Sequence, residues 1–147
     1  MKLKQTISFL CAMMLTVSLF PAAIATQTSD ETIIDLGDGF YAVETVEVLP
    51  SPRASDTVYG SKTIRLYSDG VLIGTTYIGG VFDISGSTAK ATSGNITGTG
   101  SNGWTYYHGY TSRSGNTVTG TATYQSSTGV TKSHSGSISC SPDGKLS

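Results

Sequence analysis

Cysteine, tryptophan and charge are all scarce in this chain of 147 residues, which holds two cysteines, one tryptophan and 13% charged residues. Cys11 lies in an N-terminal apolar run that we expect to be removed from the mature chain. Cys140 is then a lone thiol, so the domain must be stable without an internal disulfide. We interpret Cys140 as a small buried hydrophobe on a strand, with intermolecular pairing as the alternative.

The first 25 residues are typical of a secretory signal peptide. Lys2 and Lys4 precede an apolar run from Ile7 to Phe20, and Ala23-Ile24-Ala25 offers a small-residue cleavage site. Cleavage after Ala25 leaves 122 residues, enough for one domain, and predicts a secreted, extracellular protein. No later apolar run approaches the roughly 18 residues that span a bilayer, so we expect no membrane span in the mature chain.

Basic residues are few in the mature chain, where seven Lys and Arg stand against ten Asp and Glu. Domains that bind nucleic acid are normally basic, and proteins that bind membrane surfaces carry polybasic segments. The sequence therefore predicts no nucleic-acid partner. We expect small residues to keep the chain soluble instead, because Gly, Ser and Thr make up 57 of the 122 mature residues.

Short β-type runs separated by glycine-rich turns fill the chain from residue 57 onward. Outside the signal, no window sustains the period of about 3.6 residues that marks an amphipathic helix. Regularly spaced turns between short strands favour an antiparallel sandwich or barrel. We predict an all-β fold, a single antiparallel β-sandwich of immunoglobulin-like or jelly-roll-like type, with roughly seven strands over residues 57–147.

Residues 26–56 differ in composition from the rest of the mature chain. Six acidic residues and no basic one lie between Thr26 and Leu49, and Gly37-Asp38-Gly39 separates two β-type runs. Such a turn predicts a hairpin, since glycine adopts positive φ at little cost. Pro50 and Pro52 then disfavour both helix and strand and indicate a linker. We expect either an acidic hairpin added to the sandwich or an acidic leader that is cut off near Arg53.

Hydroxyl side chains alternate along the last two strand candidates. Successive side chains of a strand point to opposite faces, so every second residue shares a face. Thr keeps β propensity, and neither Ser nor Thr offers an apolar surface for aggregation, which predicts a solvent-facing hydroxyl surface. Its members are Thr117, Thr119, Thr121, Thr123, Thr131, Ser133, Ser135, Ser137, Ser139 and Ser141.

Residues suited to catalysis or metal binding are sparse. His108 and His134 are the two histidines, and His134 lies six residues from Cys140, about 20 Å along a strand. That separation excludes a Cys–His nucleophilic pair within the strand. The glycines from Gly98 to Gly103 match a dinucleotide-binding pattern, but a β-type run follows where that motif needs a helix. We predict that the protein is not an enzyme and that it uses no metal and no cofactor.

The run from Trp104 to Tyr110 is the feature that most favours ligand binding. Strand alternation places Trp104, Tyr106, His108 and Tyr110 on one face and Tyr107 on the other. Aromatic rings with polar tips cover the apolar faces of sugars, so Trp104, Tyr106, Tyr107 and Tyr110 are the candidate ligand-binding residues. The alternative, which we favour, is that this face fills the core of a domain with few leucines.

The layout resembles small exported proteins of Gram-positive, Firmicutes-type bacteria. These proteins share a signal peptide, a segment like Asp35 to Tyr41, a Ser/Thr/Gly-rich β domain and an ending like Cys140 to Ser147. They often hold a second cysteine in the strand that corresponds to residues 88–92, and this chain has none there. The resemblance implies export and a β-sandwich, and it brings no known activity.

Two classes of function are compatible with these features. The first is a secreted, non-catalytic extracellular or cell-surface binding module, with an extracellular glycan, the cell wall or another protein as its partner. The alternative is a secreted bacteriocin-like peptide effector, for which an acidic leader and a small size are natural.

Overall fold

The computed structural model describes residues 31–49 and 56–147, so the expected signal peptide, its cleavage site and the cut near Arg53 lie outside the described residues. The prediction of an all-β antiparallel sandwich is confirmed. Residues 57–147 form six strands where we expected about seven, and the acidic segment before them adds two more. In chain order they are β1 (Thr32–Gly37), β2 (Phe40–Leu49), β3 (Thr57–Ser68), β4 (Val71–Ser85), β5 (Thr88–Gly100), β6 (Trp104–Ser114), β7 (Thr117–Ser126) and β8 (Thr131–Ser139).

The strands form two sheets, each built in chain order. The five-stranded sheet runs β1-β2-β3-β4-β5 and the three-stranded sheet runs β6-β7-β8, with every neighbour antiparallel. This up-and-down connectivity differs from the Greek-key connections of immunoglobulin-like and jelly-roll sandwiches. The two sheets pack face to face without closing into a barrel. β5 and β6 meet along one side, where the Thr111 hydroxyl of β6 donates to the Gly94 carbonyl of β5 at 3.4 Å. The Ala91 amide of β5 also donates to the carbonyl of Gly115, in the turn after β6, at 2.9 Å.

The acidic N-terminal segment contributes two strands to the larger sheet. β1 and β2 meet at a turn in which Gly37, Asp38 and Gly39 all have positive φ, a conformation that glycine adopts without strain. β2 then pairs with β3 from Phe40 opposite Ser68 to Leu49 opposite Tyr59. Removal of the chain up to residue 53 would therefore strip two of the five strands from this sheet.

The core lies between the two sheets and is filled from alternate positions of each strand. The largest fully buried side chain is Tyr124 of β7, whose hydroxyl lies 2.9 Å from the Thr76 hydroxyl of β4. Gly74 of β4 makes room for the ring, because a Cβ at that position would overlap it. The buried apolar residues are Ala42, Ile64, Leu66, Ile73, Ile78, Phe82, Ala91, Val118, Ala122, Tyr124, Ile138, Cys140 and Leu146.

Cys140 is fully buried, as predicted for a small hydrophobe, but it lies just after β8, where it forms an isolated bridge with Leu146. Burial raises the pKa of its thiol, and the nearby Asp143 carboxylate adds to the shift. A buried thiol with a raised pKa is a poor nucleophile at neutral pH. Cys140 therefore serves packing in the monomer.

Candidate functional site

The outer face of the three-stranded sheet carries paired hydroxyl groups, which we call the hydroxyl ladder. Each Thr of β7 stands directly opposite a Ser of β8, so the alternation predicted for these strands is confirmed. The hydroxyl oxygens lie within hydrogen-bonding distance in every pair. The pairs are Thr117–Ser139 at 2.8 Å, Thr119–Ser137 at 2.9 Å, Thr121–Ser135 at 2.7 Å and Thr123–Ser133 at 2.7 Å.

Strand β6 continues the same outer face on the other side of β7. Tyr110 stands opposite Thr121, and Ser112 stands opposite Thr119. The register places no Asp, Glu, Lys or Arg on this face. The residues that it does place there are Thr105, His108, Tyr110, Ser112 and Ser114 of β6, Thr117, Thr119, Thr121, Thr123 and Gln125 of β7, and Thr131, Ser133, Ser135, Ser137 and Ser139 of β8.

A β-bulge at Tyr107 changes the sidedness expected for the aromatic strand. Tyr106 pairs with Tyr124 and His108 pairs with Thr123, so Tyr107 is an extra residue with no position opposite it. One inserted residue reverses the alternation beyond it. The expectation that Trp104, Tyr106, His108 and Tyr110 share a face was therefore wrong: the first two turn inward and the last two outward.

Trp104 and Tyr106 pack at the margin of the core. The Trp104 ring meets Phe40 edge to face, with centroids 6.0 Å apart and planes at 81°. The Tyr106 ring meets Tyr124 in a similar way, at 5.7 Å and 68°. Both side chains are partly buried and contact the core cluster, which leaves them little ring surface for a ligand.

Tyr107 and Tyr110 keep most of their surface in solvent, at 62% and 60% exposure. The Tyr107 ring lies 5.1 Å from the His108 ring, edge to face. Tyr110 borders the Thr121–Ser135 pair of the hydroxyl ladder. Of the four residues proposed from the sequence, these two are available to a ligand at the outer face.

Sequence reasoning missed a second aromatic surface, on the outer face of the five-stranded sheet. Tyr41 of β2, Tyr59 and Tyr67 of β3 and Tyr77 of β4 all lie there. Alternation along β3 already separated its two tyrosines from the inward Ile64 and Leu66. That Tyr41 and Tyr77 lie beside them follows only from the pairing register of β2, β3 and β4, which the sequence does not show.

Three titratable side chains are buried between the sheets on the inner side. Glu44 of β2 and Lys62 of β3 form an ion pair of 3.0 Å. His134 of β8 is 5% exposed and lies parallel to the Tyr124 ring, with centroids 6.0 Å apart. Neither ring nitrogen of His134 has a hydrogen-bond partner among the described residues. Burial lowers the pKa of His134, and the Glu44 carboxylate opposes that shift.

Acid should destabilise the fold through His134. Because its pKa is lower in the folded chain, the unfolded chain binds more protons once the pH falls below about 6.5. The melting temperature is therefore expected to fall between pH 7 and pH 5. His134→Phe keeps a ring against Tyr124 and removes no hydrogen bond. The melting temperature of this variant should therefore change much less between pH 7 and pH 5. An equal fall in both proteins, measured by circular dichroism, would contradict this role.

Comparisons of the chain with protein-family models, with curated proteins and with solved structures found no match. In residues 31–49 and 56–147, no three His, Cys, Asp or Glu side chains come together as a metal site. The same ranges contain no helix long and apolar enough to cross a membrane. Function is therefore inferred from the geometry of the outer faces.

Proposed function

We propose that the protein is a secreted, non-catalytic binding module that holds a neutral extracellular glycan against the outer face of β6, β7 and β8. The observation that carries this proposal is the composition of that face. Two exposed tyrosines, Tyr107 and Tyr110, border the hydroxyl ladder on a surface without formal charge.

The chemistry of the face suits a sugar polymer. An exposed tyrosine ring covers the apolar face of a pyranose while its hydroxyl stays in water. Each hydroxyl has one donor and two acceptor sites, so a Thr–Ser pair such as Thr121–Ser135 keeps one O–H and several lone pairs for a ligand. Small-molecule sites are concave, whereas this face is an open strand surface, which favours an extended polymer.

The absence of charge from this face favours a neutral polymer over an anionic one. Phosphate and carboxylate groups are typically bound by Arg or Lys. Lys132 of β8 belongs to the opposite, inner face of the sheet, and its ammonium lies 4.3 Å from the Phe40 ring centroid. A phosphate-rich cell-wall polymer would therefore find no basic partner along the ladder.

The effector alternative has no comparable support. An effector released at residue 53 would lose β2, and with it the Glu44 carboxylate that pairs with Lys62. Lys62 is 9% exposed, and a buried charge that loses its partner is costly. The form that the proposed binding role uses is thus the chain that keeps β1 and β2.

Removal of the two exposed rings should strongly weaken retention on glycan while the fold stays intact. Tyr107→Ala combined with Tyr110→Ala is expected to weaken binding to insoluble cellulose or chitin, two neutral polymers, at least tenfold, because both stacking surfaces are lost. Stability should change by no more than about 0.5 kcal/mol per site, as is usual for exposed residues. Co-sedimentation with each polymer and thermal melting make the two measurements.

The matched control is Tyr107→Phe combined with Tyr110→Phe, which keeps both rings and should keep most of the retention. The proposal fails if the unaltered protein is retained by none of these polymers. It also fails if the double alanine variant is retained as well as the unaltered protein.

A further inference from the structure

The outer face of the five-stranded sheet carries an exposed aromatic and aliphatic surface, which we call the tyrosine face. Ile33 is 72% exposed, Tyr77 47% and Leu49 41%, so the surface is open to solvent in the monomer. Exposed apolar patches of this extent mark interaction sites on soluble proteins. By the strand register its apolar side chains are those of Ile33, Tyr41, Val43, Leu49, Tyr59, Tyr67, Leu72, Tyr77 and Val81. The same register also places on this face the charged residues Asp35, Glu47 and Arg65 and the polar residues Thr45, Ser61, Thr63, Thr75, Ser93, Asn95, Thr97 and Thr99.

The rings of this face are arranged differently from a platform for sugars. Tyr41 and Tyr67 are opposite each other on adjacent strands, and their rings stack at 4.9 Å with planes 4° apart. Stacked neighbours cover one another's faces and present ring edges outward. A sugar needs an open ring face, whereas a packed protein surface accepts edges and tips.

We propose that the tyrosine face is a homodimer interface, in which two copies of this chain pack sheet against sheet. The four strands β2 to β5, about 4.8 Å apart, over the nine residues from Tyr59 to Tyr67, give a projected area of about 500 Å². The accessible surface of the side chains exceeds the projected area, and a standard interface buries roughly 800 Å² per partner. Aromatic and Arg enrichment with few Lys is also typical of interface cores.

The charges on the face are complementary to those of a second copy. Arg65 is opposite Val43, and Glu47 follows Val43 by four residues, about 13 Å along the strand. The two therefore do not pair within one chain. They lie on opposite sides of the row Thr45–Thr63, and at equal distance from it. A two-fold axis along that row places Arg65 of each copy beside Glu47 of the other.

The same axis brings apolar rows together. Leu49 and Tyr59 form the row at one end of the face, and Tyr41 and Tyr67 form the row at the other end. The axis exchanges these two ends, so the stacked tyrosines of one copy meet the Leu49 row of the other. Tyr77 lies opposite Thr63 and so meets its own counterpart at the axis. Such a self-complementary patch is what a two-fold dimer requires.

The dimer has a consequence that rests on the proposed glycan binding. Pairing through the five-stranded sheets leaves the two hydroxyl ladders on opposite outer sides of the assembly. Two sites in one particle raise retention on a polymer by avidity. The dimer itself is independent of that role and is tested without glycan.

The test measures self-association of the purified chain by sedimentation equilibrium over micromolar to millimolar concentrations. We expect a monomer–dimer equilibrium with no larger species. Arg65→Glu alone or Glu47→Arg alone should each weaken dimerisation at least tenfold, because like charges then meet across the axis. The combined charge-swapped variant should recover most of the affinity, which a purely structural role of either residue would not produce.

Two controls separate dimerisation from folding. Arg65 also lies 3.7 Å from Glu31, so the melting temperature of each variant is recorded beside its association constant. Thr119→Glu places a charge on the hydroxyl ladder and should leave dimerisation unchanged. The proposal is overturned if the chain is monomeric at all concentrations, or if neither Arg65→Glu nor Glu47→Arg lowers the dimerisation affinity. It is also overturned if Tyr77→Ala abolishes glycan binding in a monomer, since the face would then be a sugar site.

Discussion

Replacing Tyr124 with alanine is expected to lower the free energy of unfolding by about 3–5 kcal/mol, the range measured for large aromatic residues removed from cores. Tyr124 is fully buried, and its ring packs against Tyr106, His134 and the backbone at Gly74. Its neighbours come from both sheets, so a cavity here loosens the contact that defines the sandwich. A small domain has only about 5–15 kcal/mol in total, so this loss is a large share of its stability.

Two companion variants make the Tyr124 measurement specific. Tyr124→Phe keeps the ring and removes the hydroxyl that lies 2.9 Å from Thr76, so it should cost about 1–3 kcal/mol through the unpaired Thr76 hydroxyl. Tyr110→Ala removes an exposed tyrosine and should stay within about 0.5 kcal/mol. Urea denaturation followed by circular dichroism measures all three. Equal effects of Tyr124→Ala and Tyr110→Ala would contradict the packing described here.

Breaking the buried ion pair is expected to destabilise the fold by about 3–5 kcal/mol, because removal of one partner leaves an uncompensated charge. Lys62→Met provides this test: it keeps a side chain of similar length and leaves the Glu44 carboxylate buried without its partner at 3.0 Å. The reciprocal Glu44→Leu should have a comparable effect. Both side chains are 11% exposed, so water screens neither of them well.

The double variant distinguishes an ion pair from simple packing. Lys62→Met combined with Glu44→Leu replaces both charges with apolar groups and should be near neutral or stabilising relative to the unaltered protein. Glu31→Gln breaks the exposed contact with Arg65 and should change stability by less than about 1 kcal/mol. Additive losses in the double variant would mean that the charges do not interact, and denaturation midpoints decide between the outcomes.

The proposed binding surface was only partly predictable from the sequence. Tyr107 and Tyr110 were among the four proposed ligand-binding residues, and both are exposed. Trp104 and Tyr106 are also aromatic residues of the same strand, yet they pack at the core. The bulge at Tyr107 separates the two pairs, and no residue in the alternating pattern signals an extra position. A bulge is decided by how β6 fits against β7, which is a contact between strands.

The sequence by itself determined the fold class, the turn at Gly37–Gly39 and the sidedness of β7 and β8. These features depend on neighbours in the chain: the two-residue period of side chains and the positive φ that glycine adopts. Tertiary structure alone decided the register that pairs Thr121 with Ser135 and the burial of Glu44 against Lys62. The physical reason is that a one-residue shift between two strands changes every cross-strand contact, while each strand keeps its own alternation.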